Sequence, residues 1–340
     1  MKKKKKKKKP ILLLSLIIVL VLGMLASVLA FTSVANPLLA SFGLRKAPVT
    51  PTIMPHPTAT LTPSPTPSPS PTLEITPTVS SKQNAPVIQA EAAYLFEVNS
   101  GKALFQQKND MPLPVASTTK MMTAVLALEN GNPDQRITVP EAAIDHVQGT
   151  DASTAQLVAG DVLTLRDLLY GLMLPSGADA AYTIALVIGD GSVDTFIQMM
   201  NAKAQALGMT QTHFVDADGL TIEGDVSTST ADDLVTLARY AMTIPLFAEI
   251  AKSPAYEVQA TSTNHRYTWP SRVTLLSSYE GLLGIKTGYT GRAGYCFVFA
   301  AVQDDHYIIG AILHDTSLSQ RDIDATALLN WGFAKLKGTL

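Results

Sequence analysis

Residues 47–81 limit what the rest of the chain can become. Of these 35 residues 24 are Pro, Thr or Ser, Glu74 is the only carboxylate, and there is no lysine or arginine. A segment so poor in apolar side chains cannot bury a core. Its prolines favour extended polyproline II at ~3.1 Å per residue, a reach on the order of 100 Å. It reads as a spacer rather than a docking ligand, and it divides the 340-residue chain into two parts of different character.

The part before the spacer opens with eight lysines, Lys2 to Lys9, and continues with an uncharged apolar run over residues 11–31. At ~1.5 Å per residue a helix of that length matches the ~30 Å hydrocarbon core of a bilayer. The lysines are expected to stay cytoplasmic and to place everything after residue 31 outside. The competing reading is a secretory signal cleaved near Ala35, although the apolar region of such a signal is usually shorter, about 7–15 residues. The expected organisation is a cytoplasmic polylysine tail (1–10), a transmembrane signal-anchor helix (11–31), an extracytoplasmic linker (32–85) and a globular domain (86–340). The expected location is the cell membrane, single-pass, with that domain extracytoplasmic.

From residue 86 onward there are 15 lysines and arginines against 27 aspartates and glutamates, a net charge of −12. A body this acidic excludes nucleic acid as a partner, because basic contacts dominate binding to a polyanion. Cys296 is the only cysteine, so no intrachain disulfide forms, and a domain of about 250 residues can stand on its core alone.

Within the domain, AAYLFEV (92–98) and ALFQQ (103–107) around Asn99-Ser100-Gly101-Lys102 predict a β-hairpin. Helical spacing runs through PVASTTKMMTAVLALENG to a stop at Gly131. TLRDLLYGLML (164–174) opens on a near capping box, Thr164 with Asp167. Residues 178–189, 192–208 and 229–242 are helical in pattern. GIKTGY, YCFVFAAV (295–302) and HYIIGAIL (306–313) read as neighbouring strands, and RDIDATALLNWGFAKL (321–336) as an amphipathic last helix. The expected fold class is α/β (α+β): an antiparallel sheet built from N- and C-terminal strands, flanked by helices.

Three strings carry chemistry. In Ser117-Thr118-Thr119-Lys120, residues i and i+3 share a helix face, so the Lys120 amine can lie beside the Ser117 hydroxyl. Serine needs such a base, and a lysine serves once burial or a nearby cation lowers its pKa. Backbone N–H groups at a helix start can meet a developing oxyanion. Lys286-Thr287-Gly288 offers that second cation, and a glycine that would let a substrate backbone approach closely. Ser176-Gly177-Ala178 lies between the two. Each alone has a plain explanation: a helix cap for Ser117, solvated surface charges for Lys286 and Arg321. The set in this order does not.

Together the strings resemble the Ser-x-x-Lys, Ser-x-Asn and Lys-Thr-Gly set of penicillin-binding proteins and serine β-lactamases. LFEVNSGKALFQQKND, ASTTKMMTA, STSTADDL, GLLGIKTGYTGRAGYC and RDIDATALLNWGF extend the resemblance over nearly all of residues 90–337. There the chain is similar to the serine D-Ala-D-Ala carboxypeptidases, the low-molecular-mass penicillin-binding proteins, with a β-lactamase/transpeptidase-like fold. The resemblance implies that Ser117 is acylated by the D-Ala-D-Ala end of a peptidoglycan stem peptide, with Lys120 as base and Ser176 passing the proton to the leaving amine. It implies that Lys286 sets the local field and that Thr287 and Arg321 hold the terminal carboxylate. The N–H groups of Ser117 and Tyr289 would make the oxyanion hole beside Gly288. β-Lactams would acylate the same serine, and no metal or organic cofactor is implied. Many such relatives carry a C-terminal β domain and anchor; here the N-terminal helix is expected to take that role.

The departure is Ala178, where the family has an asparagine that touches the lysine of Ser-x-x-Lys and the substrate carbonyl. Losing such a contact typically costs about 2–4 kcal/mol at a transition state. A water or the neighbouring Asp179 could fill in. The expected reading is a working enzyme. A catalytically impaired penicillin- or peptidoglycan-binding protein is the alternative, and a DD-endopeptidase is left open because it uses the same nucleophile. No Glu-x-x-x-Asn string of a class A β-lactamase, no Gly-x-Ser-x-Gly and no zinc-ligand cluster supports another enzyme class. Cys296 reads as core, the histidines as surface or core, and Asp216-Ala217-Asp218-Gly219 as a turn. Arg272 could contact substrate or brace the sheet, and it is left outside the expected set.

Overall fold

The strand pattern near the chain's end is apolar at almost every position because helices cover both faces of the sheet. The computed structural model describes residues 84–220 and 224–340. The polylysine tail, the apolar run over 11–31 and the Pro/Thr/Ser spacer lie outside the described residues. Among the described residues no single helix is long and apolar enough to cross a membrane.

The main sheet holds β1 (Ala92–Glu97), β2 (Lys102–Gln107), β3 (Leu282–Thr290), β4 (Gly294–Gln303) and β5 (His306–Asp315). Their order is β2-β1-β5-β4-β3, every neighbouring pair antiparallel. Leu95 lies opposite Gly310, and Lys286 and Gly288 lie opposite Val298 and Cys296. The N-terminal hairpin thus joins the C-terminal strands in one sheet, as the sequence predicts, and β3 forms an edge.

Between β2 and β3 run seven helices among the described residues: α1 (Lys120–Asn130), α2 (Glu141–Val147), α3 (Leu165–Met173), α4 (Ala178–Ile188), α5 (Val193–Ala206), α6 (Ala231–Ala241) and α7 (Pro245–Ala251); α8 (Leu318–Leu336) follows β5. The capping box of α3 is complete: Thr164 Oγ1 accepts from the Asp167 N–H and Asp167 Oδ2 accepts from the Thr164 N–H. The seven-residue α2 and α7 carry too little apolar period to be read from sequence.

Two cores result. Ala92, Tyr94 and Phe96 of β1 and Cys296, Val298 and Ala300 of β4 face a large core shared with residues of α1, α3, α4 and α6. Ala93, Leu95, Phe297, Phe299 and Ala301 face the other way, against Leu328, Leu329 and Phe333 of α8. The strand period of two sorts neighbouring residues into different cores. Between the helices and edge strand β3 lies the cleft that matters for function.

Candidate active site

Val115, Ala116 and Ser117 turn tightly before α1. Residues Ala116–Thr119 form a 3₁₀ turn, and the α-helix starts only at Lys120. In 3₁₀ geometry residues i and i+3 eclipse, so Lys120 Nζ sits 3.1 Å from Ser117 Oγ. Ser117 is half-buried and Lys120 fully buried. The expected pairing is present, one turn earlier than a plain helix start.

The second serine is held in a conformation that L-residues avoid. Ser176 has φ +67°, which costs on the order of 1–3 kcal/mol unless surroundings enforce it. They do: the Gly177 N–H donates to Gly171 O (3.0 Å), the Ala178 N–H to Ser153 O (2.9 Å) and Arg272 Nε to Pro175 O (2.8 Å). So fixed, Ser176 Oγ accepts from Lys286 Nζ at 2.9 Å, and the same amine donates to Thr287 O at 2.9 Å.

Gly288 is needed for packing of protein on protein. A Cβ there would lie 3.0 Å from both Ser117 N and Val115 O, so the missing side chain lets β3 press against the nucleophile's own turn. This packing role adds to the expected one, access for a substrate backbone, and Gly288 also lines the cleft. Gly219, at φ +74°, is tighter still: a Cβ would lie 1.9 Å from Ala116 O. The cleft measures about 630 Å³, and Ser117, Lys120, Ser176, Thr287, Gly288, Tyr289 and Arg321 line it, with Ala178, Arg272 and Tyr295. Tyr289 stands exposed at the mouth, its ring 4.3 Å from that of Tyr295.

The two buried lysines differ in what faces them. Burial pushes the Lys286 amine well below its ordinary range, and the charges of Lys120, Arg272 and Arg321 push it further. Burial lowers Lys120 as well, but Asp218, Asp216 and Asp179 pull it back up, with Arg272 opposing them. Both amines are thus driven toward their neutral forms, and the cation set against Lys120 is Arg272 rather than the expected Lys286.

Asp179 is no stand-in for the missing amide. Its carboxylate accepts from the N–H groups of Ala155, Leu157 and Ala180, tying α4 to the loop before it. Lys120 Nζ instead donates to the backbone carbonyl of Asp218, at 2.6 Å. Arg321 reaches the cleft with its guanidinium committed twice to Asp322 Oδ1, at 2.9 and 2.6 Å, and stacked over Phe297. Arg272, which the sequence left open between contacting substrate and bracing the sheet, lines the cleft and braces the turn at Pro175.

Asp216–Gly219 is the turn the sequence reads there, but its place at the site is not legible from sequence: it packs on the nucleophile's turn, and His146 bonds to Asp218. Cys296 is core as expected, its thiol pushed up to about 12 by burial. Among the described residues no cluster of side chains is suited to hold a metal ion.

Comparisons with known proteins bear on this cleft. The family described as D-alanyl-D-alanine carboxypeptidase matches residues 79–317. A D-alanyl-D-alanine carboxypeptidase of Streptomyces sp. strain K15 is 40% identical over 268 residues, covering 76% of this chain and 91% of that protein. The crystal structure of the Streptomyces K15 DD-transpeptidase matches at TM-score 0.71 and 41% identity, over 74% of this chain and all of that one. Penicillin-binding protein D2 of Listeria monocytogenes, solved in its cefotaxime-bound form, matches at TM-score 0.65 and 31% identity over 74% of this chain and all of that one. A D-alanyl-D-alanine endopeptidase of Escherichia coli is 29% identical, covering 72% of this chain and 78% of that protein.

Proposed function

The chain belongs to the D-alanyl-D-alanine carboxypeptidase family, and on that premise we propose how its cleft carries out the reaction. The chain is a serine D-Ala-D-Ala carboxypeptidase of the penicillin-binding fold. The observation that carries the assignment of roles is the double serine–lysine contact: Ser117 with Lys120 at 3.1 Å and Ser176 with Lys286 at 2.9 Å, in one cleft.

Ser117 Oγ attacks the carbonyl of the penultimate D-Ala while Lys120 takes its proton. The C–N bond to the terminal D-Ala breaks, and the proton reaches that amine through Ser176. Lys286 orients the Ser176 hydroxyl from behind. The terminal carboxylate is met by Thr287 and by the cations of Arg272 and Arg321, with Arg272 the less committed of the two. The oxyanion is met by the N–H groups of Ser117 and Tyr289. Water then cleaves the acyl-enzyme. A transpeptidase and an endopeptidase share the acylation step and differ in the acceptor or the peptide cleaved. A β-lactam closes on the same serine because its ring amide mimics the dipeptide bond.

The location follows from the sequence outside the described residues. We propose a single-pass protein held by residues 11–31, with the Pro/Thr/Ser spacer carrying the peptidase outward. Intact-mass spectrometry of the full chain with benzylpenicillin tests the nucleophile. The expected result is one adduct of the penicillin's mass on the peptide holding Ser117, absent in Ser117→Ala. An adduct elsewhere, or none, would refute the assignment.

A further inference from the structure

Asp216-Ala217-Asp218-Gly219 is locked onto both ends of Ser-x-x-Lys. The Asp218 carbonyl accepts from Lys120 Nζ at 2.6 Å, and the Ala217 carbonyl accepts from Thr123 Oγ1 at 2.6 Å. Gly219 lies so close to Ala116 that no side chain fits between them. The Asp218 carboxylate points to another element. Its Oδ2 lies 2.7 Å from Nε2 of His146, near the end of α2, and its Oδ1 accepts from the Leu220 N–H at 2.9 Å. The His146 ring stacks on Tyr182 of α4 with centroids 4.6 Å apart. The Asp218 side chain is 3% exposed and that of His146 32%, so the histidine alone can exchange protons with solvent.

We propose that His146 and Asp218 form a positioning pair for Lys120: the Asp218 carbonyl holds the amine where Ala178 offers no amide, and His146 sets how much of the Asp218 charge the amine feels. The inference rests on the reading of Lys120 as the base that serves Ser117.

A base needs a free lone pair aimed at the serine. Donating one N–H to Asp218 O fixes the rotation of the amine and leaves its other positions for Ser117. The nearby carboxylates work against this role. Asp218, Asp216 and Asp179 all favour the ammonium form of Lys120, and Arg272 opposes them. His146 is held toward its charged form by its hydrogen bond to Asp218 first, then by the charges of Asp218 and Asp216, against its own burial and the charge of Lys120. As imidazolium it cancels the Asp218 charge and makes Lys120 easier to deprotonate. As a neutral ring it leaves that charge acting on Lys120 in full. The protonation of each group therefore lowers the proton affinity of the other, as coupled titrations require.

The test follows acylation of the full chain by a fluorescent penicillin from mildly acidic to alkaline pH. His146→Gln keeps a donor to Asp218 and removes the charge. The limb on which acylation rises with pH should move up by about half a unit or more. At a fixed pH on that limb, acylation should then fall about three-fold. Asp218→Asn keeps the backbone carbonyl and removes the carboxylate charge, and its limb should move down. A uniform loss of rate in His146→Gln with the limb unmoved would show a structural role only and overturn the proposal, as would displacement of both limbs in one direction. The ring titration of His146, read by NMR on histidine-labelled full chain, needs no turnover. It should lie above the ordinary histidine value, rise further in Lys120→Ala and fall in Asp218→Asn. A titration indifferent to Lys120→Ala overturns the coupling. A coupled histidine in a protein that penicillin never acylates would instead overturn the reading of Lys120 as the base.

Discussion

At position 178 an alanine leaves Lys120 without a side-chain amide, and the Asp218 carbonyl stands at the amine instead. Restoring the amide should therefore gain little. Ala178→Asn is expected to raise acylation by less than about ten-fold, since only the substrate-facing hydrogen bond remains to be won and such a bond is worth about 1 kcal/mol. A gain of a hundred-fold or more would mean that Lys120 is poorly held in the wild type. Asp315 gives a residue-scale prediction about stability. Burial pushes its carboxyl up to about 6 from an ordinary 3.8; the Thr316 N–H opposes the shift and the Asp324 charge adds to it. Folding thus takes up a proton between those two values. The contribution to stability is complete below about 3.8 and is lost as pH rises through about 6, on the order of 2–3 kcal/mol. Asp315→Asn removes the penalty, so its Tm should exceed that of the wild type at neutral pH and converge with it in acid. A Tm difference that does not change with pH would contradict the assignment.

At the scale of elements, the site depends on turns pressed against each other without side chains between them. Gly219→Ala places a Cβ at positive φ and 1.9 Å from Ala116 O, so the turn behind Lys120 must back away from the nucleophile. A misplacement of about 1 Å costs roughly a hundred-fold in rate, and penicillin acylation should fall by that order in a variant that still folds. Unchanged acylation would show that the turn does not hold Ser117 and Lys120 in register. The long elements were legible beforehand. β1, β4 and β5 follow apolar runs, β2 follows from the hairpin turn before it, α8 from a clear helical period, and the α3 cap from Thr164 and Asp167. Ser117, Lys120, Ser176 and Lys286 were legible as strings in order. The rest was not, because it depends on distant parts of the chain. Asp218 meets Lys120 across 98 residues, His146 sits on a seven-residue helix behind Pro140, and Arg321's commitment to Asp322 is a matter of rotamer. The balance of charge on the two lysines likewise follows from which side chains fold in beside them.

At the scale of the whole molecule, an acidic peptidase body follows a lysine tail, an apolar run and a spacer rich in Pro, Thr and Ser. If residues 11–31 anchor the chain, the full-length protein should sediment with membranes, resist extraction by salt and keep its lysine-rich N-terminus. A soluble product trimmed near Ala35 would instead establish a cleaved signal. The spacer then matters for reach alone, and shortening it should leave acylation of the purified protein unchanged. The most direct test of the central claim is D-Ala release from a diacylated Lys-D-Ala-D-Ala peptide by the full chain, beside a Ser117→Ala control. Release should be catalytic in the wild type and abolished in the control. Release that persists in Ser117→Ala, or none from a folded wild type, would contradict that claim.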